Sequence, residues 1–94
     1  MKVYSFHEIE LNLKKNPEWV FHLGNLVKLF SFTSFIKSIH FVNLVAKIAE
    51  NLNHHPEIII QYNKVKLSIH THDFAGITDL DFKFIQEVDK LKIS

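Results

Sequence analysis

The stretch from Ser34 to Leu52 sets the architecture, because apolar residues recur in it at Phe35, Ile39, Val42, Val45, Ala49 and Leu52, the spacing of one helix face. Thr33 or Ser34 is the predicted N-cap. The polar side, formed by Lys37, His40, Asn43, Lys47 and Glu50, is narrow. Phe41, Leu44 and Ile48 widen the apolar face beyond what one small sheet covers. That excess predicts a partner subunit over the remainder. Asn53 and Pro56 end the helix, since the residue before a proline avoids the α region and proline cannot continue the ladder.

The segments on either side alternate with a period of two. Trp19, Phe21 and Leu23 fall on one side of a strand predicted from Glu18 to Leu23, with Val20 and His22 on the other. Gly24-Asn25 reads as a two-residue turn, and Leu26 to Phe32 as the returning strand. After the long helix the same arrangement repeats, with a strand from Glu57 to Tyr62, a turn at Asn63-Lys64 and a strand from Val65 to Thr71. Extended to the next residues, that strand puts Val65, Leu67, Ile69 and Thr71 on one face and Lys66, Ser68, His70 and His72 on the other.

Two capping boxes frame the ends. Ser5 with Glu8 opens a helix carrying Ile9, Leu11 and Leu13 that stops by Asn16-Pro17, and Thr78 with Asp81 opens one carrying Phe84, Ile85, Val88 and Leu91. Ala75-Gly76-Ile77 is the loop before it. The order helix, hairpin, helix, hairpin, helix predicts an α+β fold, a four-stranded antiparallel sheet with three helices packed on one face. Ninety-four residues at 47% hydrophobic suffice for one core, so residues 1–94 are expected to form a single domain.

Composition narrows the function. All eleven basic residues are Lys and the formal charge is +1. Without an Arg fork or a basic stripe, direct nucleic-acid binding is not expected. The absence of Cys removes disulfides, thiolate metal sites and a cysteine nucleophile. No apolar run approaches the roughly 20 residues that span a bilayer, and the N-terminus opens no signal-like run, so a cytoplasmic protein is expected, with the nucleus as second option.

Four of the seven histidines fall in two short windows, Asn53-His54-His55-Pro56-Glu57 and Ile69-His70-Thr71-His72-Asp73. Imidazole is the one side chain that ordinarily titrates near neutrality, so such clusters can both give and take protons. Adjacent histidines at a helix end also serve merely to cap carbonyls or stand in solvent. The wider spacing decides between these: H-H-P-E-x4-Y-x9-H-x8-D, from His54 through Tyr62 and His72 to Asp81, with Glu50 ahead of the pair. This pattern resembles the pterin-4a-carbinolamine dehydratases from about Trp19 to the last helix, most densely in His54-His55-Pro56-Glu57, Tyr62-Asn63-Lys64-Val65, Thr71-His72 and Ala75-Gly76-Ile77.

The resemblance implies dehydration of a 4a-hydroxytetrahydropterin to the quinonoid dihydropterin in tetrahydrobiopterin recycling, without metal or other cofactor. It implies His54 and His72 as the acid/base pair, and His55 as a binding and orienting group that belongs to the same catalytic set. Asn53, Thr71 and Asp73 join them around the pterin. His70 has no counterpart histidine in the signature; it reads as an exposed sheet-face residue near the pocket and is a further substrate-binding candidate. Glu50 and Asp81 are candidates for support, although Glu50 also reads as a solvated residue and Asp81 as the cap partner of Thr78. Tyr62 reads as a packed strand aromatic. His7, His22 and His40 carry no motif. Familiar animal members have aspartate at Asn53 and tryptophan at Ile58, and the second difference removes one stacking surface for a flat ring.

Family members assemble as dimers and tetramers, so a homodimer or homotetramer is expected. Animal relatives also act as dimerisation cofactors for a transcription factor, which makes a protein-interaction module the alternative function. His70 and His72, two apart on a strand, with His54 or His55 would be the ligands of a third reading, a zinc or copper site.

Overall fold

A computed structural model describes residues 1–92; the last two residues of the 1–94 span lie outside the described residues. The elements are α1 (Phe6–Leu13), β1 (Val20–His22), β2 (Asn25–Ser31), α2 (Phe35–Leu52), β3 (Glu57–Gln61), β4 (Lys64–Ile69) and α3 (Asp79–Asp89), with a 3-10 turn at His72–Phe74. Every strand pairing is antiparallel, in the order β1-β2-β4-β3. The α+β architecture read from the sequence is the one observed.

Register explains which face the helices cover. Phe21, Leu26 and Ile69 stand abreast, as do Lys28, Leu67 and Ile58, and then Phe30, Val65 and Ile60. These inward rows carry the buried hydrophobic residues of β2 and β4. On the opposite face the row of Leu29, Lys66 and Ile59 is exposed, whereas Ser68 is buried. Helix α2 contributes Phe41, Val45 and Ala49 to the core, and α3 contributes Phe82, Phe84, Ile85 and Val88. Lys28 is the polar exception on the inward face: its ammonium lies over the Phe30 ring, 4.7 Å from the centroid, and reaches Glu18 and Asp89. Asp89 also accepts from the indole of Trp19 at 3.0 Å, fastening the end of α3 to the first hairpin.

Both hairpin turns lie one residue earlier than the sequence suggested. His22 pairs with Asn25, so the turn residues are Leu23 and Gly24, both at positive φ, and Asn25 begins β2. Gln61 likewise pairs with Lys64, leaving Tyr62 and Asn63 as the turn. Strand β1 is accordingly shorter than the predicted Glu18–Leu23. Leu23 and Tyr62 leave the strands and stand exposed, with φ of 49° and 53°. Tyr62 is therefore not a packed strand aromatic. Local turn propensity favoured the Gly-Asn and Asn-Lys pairs, but burying the inward rows fixes the register and overrides it.

Both predicted capping boxes form, Ser5 with Glu8 and Thr78 with Asp81. Ahead of α1, Val3 bridges Thr78, and the Tyr4 hydroxyl donates to Asp79, a bond that, with burial, pushes the phenol up to about 12. The N-terminal segment thus lies across the start of α3. None of the described helices is long and apolar enough to cross a membrane.

Candidate active site

The site begins at the end of α2. Asn53 adopts the left-handed conformation (φ 49°, ψ 45°), which asparagine tolerates better than most residues. Its N–H and that of His54 turn back onto the carbonyls of Glu50 and Ala49 at 3.2 and 3.0 Å, satisfying the last turn of the helix. This closure reverses the chain so that His54 points inward and His55 outward before Pro56 leads into β3.

Strand β4 ends at Ile69, not Thr71, so His70 and His72 do not share a strand face as extrapolated. Thr71 makes an isolated two-way bridge with Gly76, enclosing the 3-10 turn. His72 sits on that turn, its ring centroid 6.2 Å from that of His70. A cleft of about 450 Å³ opens between the α2 end and this loop. Asn53, His54, His55, His70, Thr71, His72 and Asp73 all line it, so every binding residue named from the sequence comes to one place. Met1, Phe74 and Leu80 complete the wall. These three were missed; Phe74 alone had a visible signal, an aromatic inside the short loop next to the histidine motif.

Glu50 and Asp81 do not line the cleft, but each lies against one member of the histidine pair. Asp81 is fully buried; Nε2 of His54 lies 2.6 Å from its Oδ1, while Oδ2 accepts from the Thr71 hydroxyl at 2.7 Å and the Thr78 amide at 2.8 Å. The convergence of these groups suits a carboxylate, which can only accept. Hydroxyl directions follow by proton counting. Thr71 has one proton and gives it to Asp81, so across the 2.7 Å contact between the two hydroxyls Thr78 donates to Thr71. With Nε2–H given to Asp81, Nδ1 of His54 holds the lone pair. Nδ1 has no protein partner among the described residues and is not closed off from solvent, and His54 is one of the residues that line the cleft.

His55 bonds Glu50 through Nε2 at an exposed position, with 56% and 75% of the two side chains accessible. His70 is fixed differently. The Asn25 amide donates through Nδ2 to the Leu23 carbonyl, which turns its Oδ1 toward His70 Nδ1 at 2.8 Å. His70 therefore donates from Nδ1 and offers Nε2 as an acceptor. His72 and Asp73 have no side-chain partner among the described residues, and both are exposed to the cleft. Ile58 stands on the inward sheet face against Leu67 and is not among the residues that line the cleft. Among the described residues no three His, Asp or Glu side chains gather as a metal shell. His7, His22 and His40 are exposed, away from the cleft.

The α+β fold thus carries a histidine-lined cleft between a helix end and a bridged loop. The family model described as pterin 4 alpha carbinolamine dehydratase matches residues 2–91. A Metallosphaera sedula protein provisionally named a pterin-4-alpha-carbinolamine dehydratase is 44% identical over 88 residues, covering 94% of this chain and 92% of its own. One from Prochlorococcus marinus, named in the same way, is 42% identical over 91 residues, covering 97% and 95%. The crystal structure of a transcriptional coactivator/pterin dehydratase from Brucella melitensis superposes with a TM-score of 0.88 at 28% identity, covering 94% of this chain and 96% of that one. The chain belongs to the pterin 4 alpha carbinolamine dehydratase family. A pterin dehydratase-like RuBisCO assembly factor shares the fold at 21% identity, with a TM-score of 0.62.

Proposed function

We propose that this protein dehydrates a 4a-hydroxytetrahydropterin to the quinonoid dihydropterin, as a step of tetrahydrobiopterin recycling. In that reaction the C4a–O bond breaks, C4a=N5 forms, N5 gives up its proton, and the hydroxyl leaves as water after gaining one. The observation that carries the reading is the setting of His54, a cleft-lining residue whose Nε2 is tied to a buried carboxylate while Nδ1 has no protein partner among the described residues. His54 takes the N5 proton, and Asp81 holds the imidazolium that results. His72 supplies the proton to the leaving hydroxyl. His55, His70, Asn53, Thr71 and Asp73 bind and orient the pterin.

The test is turnover of chemically generated carbinolamine, with and without EDTA. Acceleration that survives chelation is expected; its absence in folded protein overturns the assignment, and zinc-dependent recovery would move it to the metal reading. The Brucella protein, described as a transcriptional coactivator/pterin dehydratase, favours one second reading, that of an interaction module. Phe35 and Ile36 at the start of α2 are 48% and 72% accessible, an apolar surface suited to another chain. Self-association through such surface predicts a homodimer or homotetramer by light scattering. A strict monomer at micromolar concentration would defeat that expectation.

A further inference from the structure

The loop that carries His72 holds its neighbour Phe74 in an unusual position. Backbone N–H groups of Phe74, Ala75 and Gly76 all donate within the loop, to Thr71 at 3.2 Å, His72 at 3.0 Å and Thr71 at 3.4 Å. Ala75 lies at φ 49°, a left-handed conformation that a non-glycine residue adopts at a cost. The far side of the loop is clamped as well: a Cβ on Gly76 would come within 2.9 Å of Val3 Cγ1, so the N-terminal segment fits against it without slack. The Phe74 backbone is thereby fixed.

Its ring remains 46% accessible, and it joins no aromatic pair among the described residues. Of the residues lining the cleft, Phe74 alone offers a hydrocarbon ring. A fused bicyclic ligand has a polar edge and a π face. Imidazoles and Asp73 suit the edge, and an exposed aromatic on a rigid loop suits the face.

We propose that Phe74 is the stacking platform of this cleft and a determinant of its preference for flat bicyclic ligands over smaller or non-aromatic ones. The inference rests on the dehydratase reading. Base–aromatic stacking is a fair guide to its size, and corresponds to about 5- to 100-fold in affinity. The contact is made equally before and during reaction, so it belongs in KM and binding, not in kcat.

The experiment measures carbinolamine kinetics and the binding of 7,8-dihydrobiopterin, an unreactive flat probe, for the parent chain, Phe74→Ala, Phe74→Leu and Phe74→Trp. Phe74→Ala should raise KM and the probe's Kd by about 10-fold, leave kcat within about threefold and melt normally, since the ring is half-exposed. Phe74→Leu should recover little, because it restores apolar area without a flat face. Phe74→Trp should bind at least as well as the parent. Unchanged Kd and KM in Phe74→Ala, or full recovery with leucine, overturns the stacking role while leaving the dehydratase reading intact. A parent chain that neither binds the probe nor turns over carbinolamine overturns both.

Discussion

His54 and His55 are consecutive in the chain, and each meets one carboxylate through Nε2, yet the two pairs are physically different objects. His54 faces a fully buried Asp81 that also holds Thr71 and the amide of Thr78. His55 faces Glu50 across open solvent. In the first pair a low dielectric strengthens each hydrogen bond and makes loss of either partner costly. In the second, water and salt screen the charge, and two mobile side chains lose entropy to meet. One pair fixes a proton's position; the other steers a side chain at the rim.

Asp81→Asn should break this contrast most sharply. The asparagine carbonyl oxygen is drawn to the two donors from Thr71 and Thr78, which turns its amide N–H toward His54 Nε2. The imidazole must then accept at Nε2 and carry its proton on Nδ1, presenting the cleft with a donor where the proposed base needs a lone pair. Misassigning a catalytic tautomer in this way costs about 10⁴-fold in the serine protease triad, and a fall in kcat of about 10³- to 10⁴-fold is expected here. Circular dichroism should stay near that of the parent. A folded Asp81→Asn with parental kcat would show that the buried pair is purely structural.

His54→Ala and His72→Ala are expected to lower kcat by about 10²- to 10⁴-fold, the usual size of a general acid or base. His55→Ala should act mainly on KM. The double His54→Ala/His72→Ala change should lose much less than the product of the single losses, because residues acting as one unit are strongly non-additive. Steady-state kinetics set against thermal melts will separate these effects. Parental turnover in melting-competent His54→Ala and His72→Ala would discard the mechanism while leaving the fold in place.

The two pairs also differed in how far the sequence revealed them. The Thr78-x-x-Asp81 box was visible as a helix start, and it forms. What periodicity could not show is that the same carboxylate receives a histidine from 27 positions away, because that meeting depends on how α3 packs against the end of α2. The Glu50–His55 contact is local, and the spacing placed Glu50 ahead of the pair. The fold was legible because the inward rows alternate cleanly and the caps are strong. The turns slipped by one residue because Leu23 and Tyr62 adopt positive φ against their own propensity, held there by strand register. The strand through His72 was overextended for a related reason: alternation continues in the letters after the ladder has ended at Ile69. Asn25, which sets the hydrogen-bonding state of His70, lies 45 positions from it and carried no signal.

Thr71→Val tests the buried network without touching an ionisable group. Valine fills nearly the same volume but removes the hydroxyl, leaving Asp81 Oδ2 with one donor fewer and the Thr78 hydroxyl without its acceptor. Each such loss in a buried site costs about 1–3 kcal/mol. The two losses together predict a stability loss of about 2–6 kcal/mol by chemical denaturation. Parental stability would mean that the hydroxyl chain is replaceable and that Asp81 depends on His54 and the Thr78 amide alone.

Glu50→Gln should have the smallest effect and is the direct control on the exposed pair. The glutamine keeps an oxygen within reach of His55 but loses the charge, and with most of both side chains in solvent the change should cost under about 0.5 kcal/mol of stability. Binding should weaken by no more than about threefold, through poorer orientation of the His55 ring. That effect should shrink as salt is raised from 0.01 M to 0.5 M, since the Debye length falls from about 30 Å to a few ångström over that range. The comparison to run is KM for Glu50→Gln and the parent at both salt concentrations, beside Asp81→Asn under the same conditions. The Asp81→Asn loss should be insensitive to salt, because a change of tautomer is not screened. A large, salt-independent kcat loss in Glu50→Gln would erase the distinction and make the rim carboxylate a catalytic partner equal to the buried one.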